Sequence, residues 1–223
     1  LLNNVQNDGL QAIAYKADTN VDGTPVLVFN PLSWERSDMV ETTVRFTDAV
    51  PEQIAVYDGD TLVPSTVTAR DEEKKTATIR FQANALPSVG FKIFTVKAGD
   101  GTVETNLSVE ENDSLFVMEN EFLKVEIDKE TGNIAQVYNK KDNNRPVFAD
   151  GYQGNEIHIY KDTGGSSYTA WDLVMDEMNA DPVAILNDTP EAIEIIENST
   201  DRVVVRVSRS WSTSSLYQDI TMY

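Results

Sequence analysis

Val28-Phe29-Asn30-Pro31-Leu32-Ser33-Trp34-Glu35-Arg36 is the stretch from which the rest of the chain can be read. The apolar residues 24–29 that lead into it are strand-like. Proline lacks an N–H and drives the residue before it out of the helical region. The strand must therefore end at Asn30, and the chain turns a corner carrying a tryptophan and a Glu/Arg pair. Upstream of the corner, Leu2, Val5, Leu10 and Ile13 recur at near-helical spacing, so residues 1–16 read as the end of an amphipathic helix. Residues 19–23 read as a linker.

Downstream the period changes to two. Val40, Val44 and Phe46 alternate with Glu41, Thr43 and Arg45, the mark of a half-buried strand. Ile54 and Val56 lead into Asp58-Gly59, a tight-turn signal, and Leu62-Val63 returns. The charged run 70–75 is a further turn, residues 77–82 alternate again, and residues 91–96 close the set. After a Gly-x-Gly at 99–101, with no phosphate-binding context, a second β region opens. Leu123, Val125 and Ile127 alternate with Lys124, Glu126 and Asp128, Thr131-Gly132-Asn133 turns, and residues 134–138 return. Residues 140–145 read as a polar loop and 162–167 as a flexible Gly/Ser-rich loop. Ile157, Ile159 and the runs 193–196, 203–207 and 217–222 supply more strands. No strong helix is expected after residue 20. The expected fold is mainly β: helix end and linker at 1–24, a small antiparallel β-sandwich at 25–98, a linker at 99–104, and a second β-sandwich region at 105–223.

The 223 residues carry a net charge of −19, with 40% hydrophobic and 25% charged residues. Such a polyanion repels phosphate backbones and anionic lipid, so neither nucleic acid nor membrane is an expected partner. No apolar run is long enough to cross a bilayer. There is no cysteine, which excludes disulfides, thiolate metal sites and cysteine nucleophiles and suits a cytoplasmic protein. Both ends read as cuts through a longer polypeptide. Strands missing downstream would leave unpaired edges, to be covered by the rest of that polypeptide or by a homo-oligomer.

His158 is the single histidine. Zinc needs three or four His, Cys or carboxylate ligands, so no metal site is expected here, and His158 reads as a strand residue bonded to a neighbour. Glycoside hydrolysis usually needs two carboxyl groups. Asp172, Asp176 and Glu177 form the densest acidic cluster near aromatics, yet with 37 acidic residues no pair stands out as catalytic. Sugars stack their C–H faces on aromatic rings. Tyr168, Trp171 and Asp172, which follow the glycine loop, are therefore the expected substrate contacts, against the alternative that Trp171 caps a sandwich edge. Trp34 reads as an anchor between domains and Trp211 as a strand residue. Sequons at Asn106, Asn187 and Asn198 are as many as chance would give.

Several segments, in order, resemble one family. The corner at 28–36 is similar to its Asn-Pro-Leu-Ser-Trp-x-Arg element, and Leu86-Pro87-Ser88-Val89-Gly90-Phe91 to its Leu-Pro-x-x-Gly-aromatic element. Met118-Glu119-Asn120-Glu121-Phe122-Leu123-Lys124-Val125 resembles the opening of its large domain, and residues 128–134 its Asp-x-x-Thr-Gly-x-Ile hairpin. Gly154-Asn155-Glu156-Ile157 and Ala170-Trp171-Asp172 are further landmarks, although a Gly/Ser loop replaces the usual proline- and aromatic-rich approach to the latter. The family is the glycoside hydrolase family 38 α-mannosidases, in their bacterial form. The resemblance implies a retaining exo-α-mannosidase acting on terminal mannose of α-mannoside oligosaccharides. It implies zinc and the nucleophile in an upstream catalytic domain of the same chain, with no catalytic residue here. Residues 105–223 would be the first part of a large galactose-mutarotase-like domain. This region would support the catalytic domain and line the substrate cleft. The rival readings are a free-standing carbohydrate-binding module and an immunoglobulin-like adhesion segment.

Overall fold

The computed structural model describes residues 2–162, 171 and 175–223, and the chain divides into two compact units. The first comprises Leu1–Thr105 together with Ser199–Asp201, the second Asn106–Asn198 and Arg202–Tyr223. The fold is mainly β, built of antiparallel sheets.

In the first unit, helix α1 (Leu2–Ala14) precedes seven strands. They are β1 (Thr24–Asn30), β2 (Arg36–Arg45), β3 (Ile54–Asp58), β4 (Thr61–Val63), β5 (Ser65–Asp71), β6 (Thr76–Leu86) and β7 (Gly90–Ala98). One sheet has the order β1-β7-β3-β4 and the other β2-β6-β5. Their inner faces meet in one core made of Val44, Val56, Val63, Ile79, Phe81, Phe94 and Val96, with the Phe81 and Phe94 rings 4.9 Å apart. This is a β-sandwich, formed because alternate residues of each strand are apolar and face the opposite sheet. Strand β1 departs from the alternation. Val26 and Val28 reach the core, while Leu27 and Phe29 face the other way, toward Val5, Leu10 and Ile13 of α1 across a groove. An unbroken apolar run marks a strand covered on both faces.

The corner that opened the sequence is held by a buried side chain. Asn30 is 1% exposed, and its amide nitrogen donates to the carbonyls of Trp34 (2.8 Å), Leu86 (3.2 Å) and Pro87 (3.0 Å). Its carbonyl oxygen accepts from Leu32 N–H at 3.1 Å, and Val89 N–H donates to the Leu32 carbonyl. The two landmark segments at 28–36 and 86–91 are thus one knot, tied by Asn30. Trp34 itself is 58% exposed. Within this unit the corner is held through its backbone, by the Asn30 amide.

The second unit contains β8 (Ser108–Glu111), β9 (Leu115–Glu119), β10 (Leu123–Asp128), β11 (Ile134–Asn139), β12 (Arg145–Pro146), β13 (Ile157–Ile159), a four-residue helix α2 (Met175–Met178), β14 (Ala184–Leu186), β15 (Ala192–Asn198), β16 (Val203–Trp211) and β17 (Ser214–Met222). A five-stranded sheet, β12-β11-β10-β9-β8, and a three-stranded sheet, β15-β16-β17, share a core of Phe116, Met118, Val125, Ile127, Val203, Val205 and Met222. β13 and β14 form a separate pair. The meander β8–β11 turns on Asx side chains. Asn112 Oδ1 accepts from Ser114 and Leu115 N–H, Asn120 Oδ1 from Phe122 and Leu123, and Asp128 Oδ1 from Glu130 and Thr131. Such side chains mimic a backbone turn, which accounts for the Asn120 and Asp128 landmarks. The segment 140–145, expected as loop, holds a 3-10 turn at Lys140–Asp142 and the start of β12. Asn139 caps the turn from its side chain.

Gly132 has φ +67°, and a Cβ there would stand 2.7 Å from both Val207 Cγ1 and the Arg209 guanidinium. Gly132→Ala is expected to cost about 2–3 kcal/mol, from strain plus overlap. Gly59→Ala, at φ +62° with nothing within 4 Å, should cost only about 1 kcal/mol. Urea midpoints of the two variants test this, and equal losses would refute the packing argument.

Candidate functional site

Of the three expected substrate contacts, Tyr168 and Asp172 lie outside the described residues. Trp171 is in a turn and 87% exposed, so it caps no packed edge among them. Of the acidic cluster, Asp176 and Glu177 sit on α2, away from any buried environment. Among the described residues no group of three or more His, Cys, Asp or Glu side chains could hold a metal, so the residues described here do not fit a zinc centre.

A different arrangement was not singled out from sequence. In β13, Ile157 and Ile159 turn inward, and the period of two puts Glu156, His158 and Tyr160 on the outer face. His158 Nε2 lies against the Glu156 carboxylate, and Nδ1 is 3.4 Å from the Tyr160 hydroxyl. The expectation that His158 is a strand residue bonded to its neighbours describes this row. Beside it, the loop 151–156 surrounds a depression of about 420 Å³ lined by Ala135, Gly151, Tyr152, Gln153 and Glu156.

That loop is fixed at several points. Ile134 and Gly154 exchange backbone hydrogen bonds of 2.9 and 2.8 Å, and Gln218 Nε2 donates to the Asn155 carbonyl at 3.1 Å. Gly154 packs on the Phe148 ring, where a Cβ would come within 2.5 Å. Asn133, 1% exposed, donates its amide hydrogen to Gln153 Oε1 at 3.1 Å. With its carbonyl held from behind, Gln153 turns its own NH2 away from Asn133.

Further along the same unit, Arg209 is 4% exposed and donates to the carbonyls of Asp188 (2.9 Å) and Thr131. Burial pushes its pKa down and the Asp188 charge opposes that. This guanidinium ties the 128–134 hairpin to β16, a structural task.

Residues 118–223, which span the Asx turns at Asn120 and Asp128, the β13 row, Trp171 and Arg209, match the family model described as Glycosyl hydrolases family 38 C-terminal domain. That stretch, a little under half of the chain, is similar to the C-terminal domain of family 38. No curated protein matches the chain. The likeness points to a glycoside hydrolase family member. No helix of the described residues is long and apolar enough to cross a membrane.

Proposed function

We propose that this chain is the non-catalytic β region of a retaining exo-α-mannosidase that removes terminal α-linked mannose from oligosaccharides in the cytoplasm. The observation that carries the reading is the family 38 match over residues 118–223, with the ordered landmarks at 28–36 and 86–91 ahead of it. The zinc ion and the aspartate nucleophile would be held by another domain of the same polypeptide. This region would brace that domain and offer Tyr168, Trp171 and Asp172 to the substrate cleft. In support, Trp171 is 87% exposed, so its indole face is available to stack on a sugar ring.

The test is hydrolysis by the full-length polypeptide. It should release nitrophenol from a nitrophenyl α-mannoside, lose activity with a chelator, and regain it with zinc. Turnover of a β-mannoside or an α-glucoside in preference would overturn the reading. Trp171→Ala should raise KM about 3- to 10-fold, the loss of one stacking contact, with kcat nearly unchanged.

A further inference from the structure

The outer face of β13 and the depression beside it have no part in the function proposed above. Their groups are chemically mixed. Tyr152 is 72% and Tyr160 40% exposed, which gives two aromatic faces. Glu156 offers a carboxylate, and Gln153, whose carbonyl accepts from Asn133, an amide donor at the lining of the depression. Neither a strongly anionic nor a strongly cationic ligand suits this set. Glu156 and the net charge of −19 repel anions. The Glu156 carboxylate is already engaged by His158, which takes up one of the acceptor positions a cation would need and leaves the others for a hydroxyl. Adjacent acceptor and donor beside aromatic rings is the pattern that a neutral ring with vicinal hydroxyls satisfies. Each hydroxyl can accept from Gln153 and donate to Glu156, while the apolar C–H face lies on a tyrosine. The volume of about 420 Å³ is in the range of small-ligand sites. The anchored loop means that little ordering is needed on binding.

We propose that Tyr152, Gln153 and Glu156, the last held by His158, form an auxiliary pyranose-binding subsite. It engages a sugar unit of the oligosaccharide other than the one being cleaved. The identification of the sugar as part of the substrate rests on the mannosidase reading above; the binding of a neutral pyranose does not.

The experiment uses the full-length protein with Tyr152→Ala and Glu156→Gln, both at exposed positions where folding is not at stake. KM for mannotetraose should rise about 5- to 20-fold, the worth of one or two hydrogen bonds and a ring contact. KM for a nitrophenyl α-mannoside, too short to reach a second subsite, should stay within about twofold. Equal changes on both substrates, or none on mannotetraose, would overturn the proposal. If the protein hydrolyses no mannoside, the functional reading fails separately. The subsite is then decided by saturation-transfer NMR with neutral hexose oligosaccharides and with tetramethylammonium. Oligosaccharide signals lost in Tyr152→Ala support it; binding of the ammonium ion alone, or of neither, refutes it.

Discussion

Asp201→Ala is expected to destabilise the first unit by about 3–5 kcal/mol, because it strands a buried guanidinium. Arg80 and Asp201 have side chains only 5% and 0% exposed. Arg80 Nε donates to Asp201 Oδ2 at 2.6 Å and Nη2 to Oδ1 at 3.1 Å. Ser199 Oγ donates at 2.8 Å, and the Thr66 hydroxyl also points at the carboxylate. The pair is thus fully hydrogen-bonded, which is what makes an ion pair tolerable away from water. Removing one partner forfeits that compensation while the other charge stays buried. The double replacement Arg80→Met with Asp201→Leu should recover most of the loss, since an apolar pair needs no compensation. Urea unfolding of the single and double variants checks this; a double variant as weak as the single would show that packing, not charge, sets the cost.

The same carboxyl sets a pH dependence. Burial by itself would raise its pKa, but the hydrogen bonds from Arg80, Thr66 and Ser199 prevail and hold it below the ordinary 3.8. A carboxyl that titrates lower folded than unfolded stabilises fully above the unfolded value. That contribution is lost as pH falls past 3.8 toward the folded pKa. Between pH 7 and pH 3 the wild type should therefore lose more stability than Asp201→Asn. Parallel melting curves across that range would contradict the assignment.

Asn30→Ala is the second large effect, expected at about 2–4 kcal/mol, the cost of leaving several backbone groups without partners where water is excluded. Three carbonyls, those of Trp34, Leu86 and Pro87, lose a donor, and Leu32 N–H loses its acceptor. Asn30→Asp keeps the acceptor for Leu32 but replaces the donating amide with an oxygen that faces three carbonyls. It should be at least as damaging, although nearly isosteric. Trp34→Ala, at a 58% exposed position, should cost less than about 1 kcal/mol. The ranking of these three by thermal melting decides whether amide or indole holds the corner. A Trp34→Ala loss larger than that of Asn30→Ala would reverse it.

Where a strand alternates over several residues, the sequence was sufficient. Val44 of β2, Ile79 and Phe81 of β6, and Val125 and Ile127 of β10 lie on core faces as that period predicts, although β6 also buries Arg80 between its two core residues. Two of the shorter elements, β8 and β14, were not legible. β8 buries a single residue, Val109, and β14 has three residues, so neither holds a full cycle of alternation. β9 is an apolar run, Leu115-Phe116-Val117-Met118, that carries no period to distinguish strand from helix. The candidate site was hidden for a different reason. Glu156, His158 and Tyr160 were visible as neighbours on a strand, but the depression beside Glu156 is bordered by a loop held through distant contacts, Gly154 with Ile134 and Asn155 with Gln218.

The sequence by itself determined the class of fold, the position of the Asn-Pro corner and the family landmarks, because these depend on local periodicity, proline geometry and Asx turns. Only the tertiary structure decided what those landmarks do. Asn30 meets Leu86 and Pro87 across more than fifty residues, and Arg80 meets Asp201 across more than a hundred. The pairing of a buried polar group is set by where distant strands converge, and no local pattern records it.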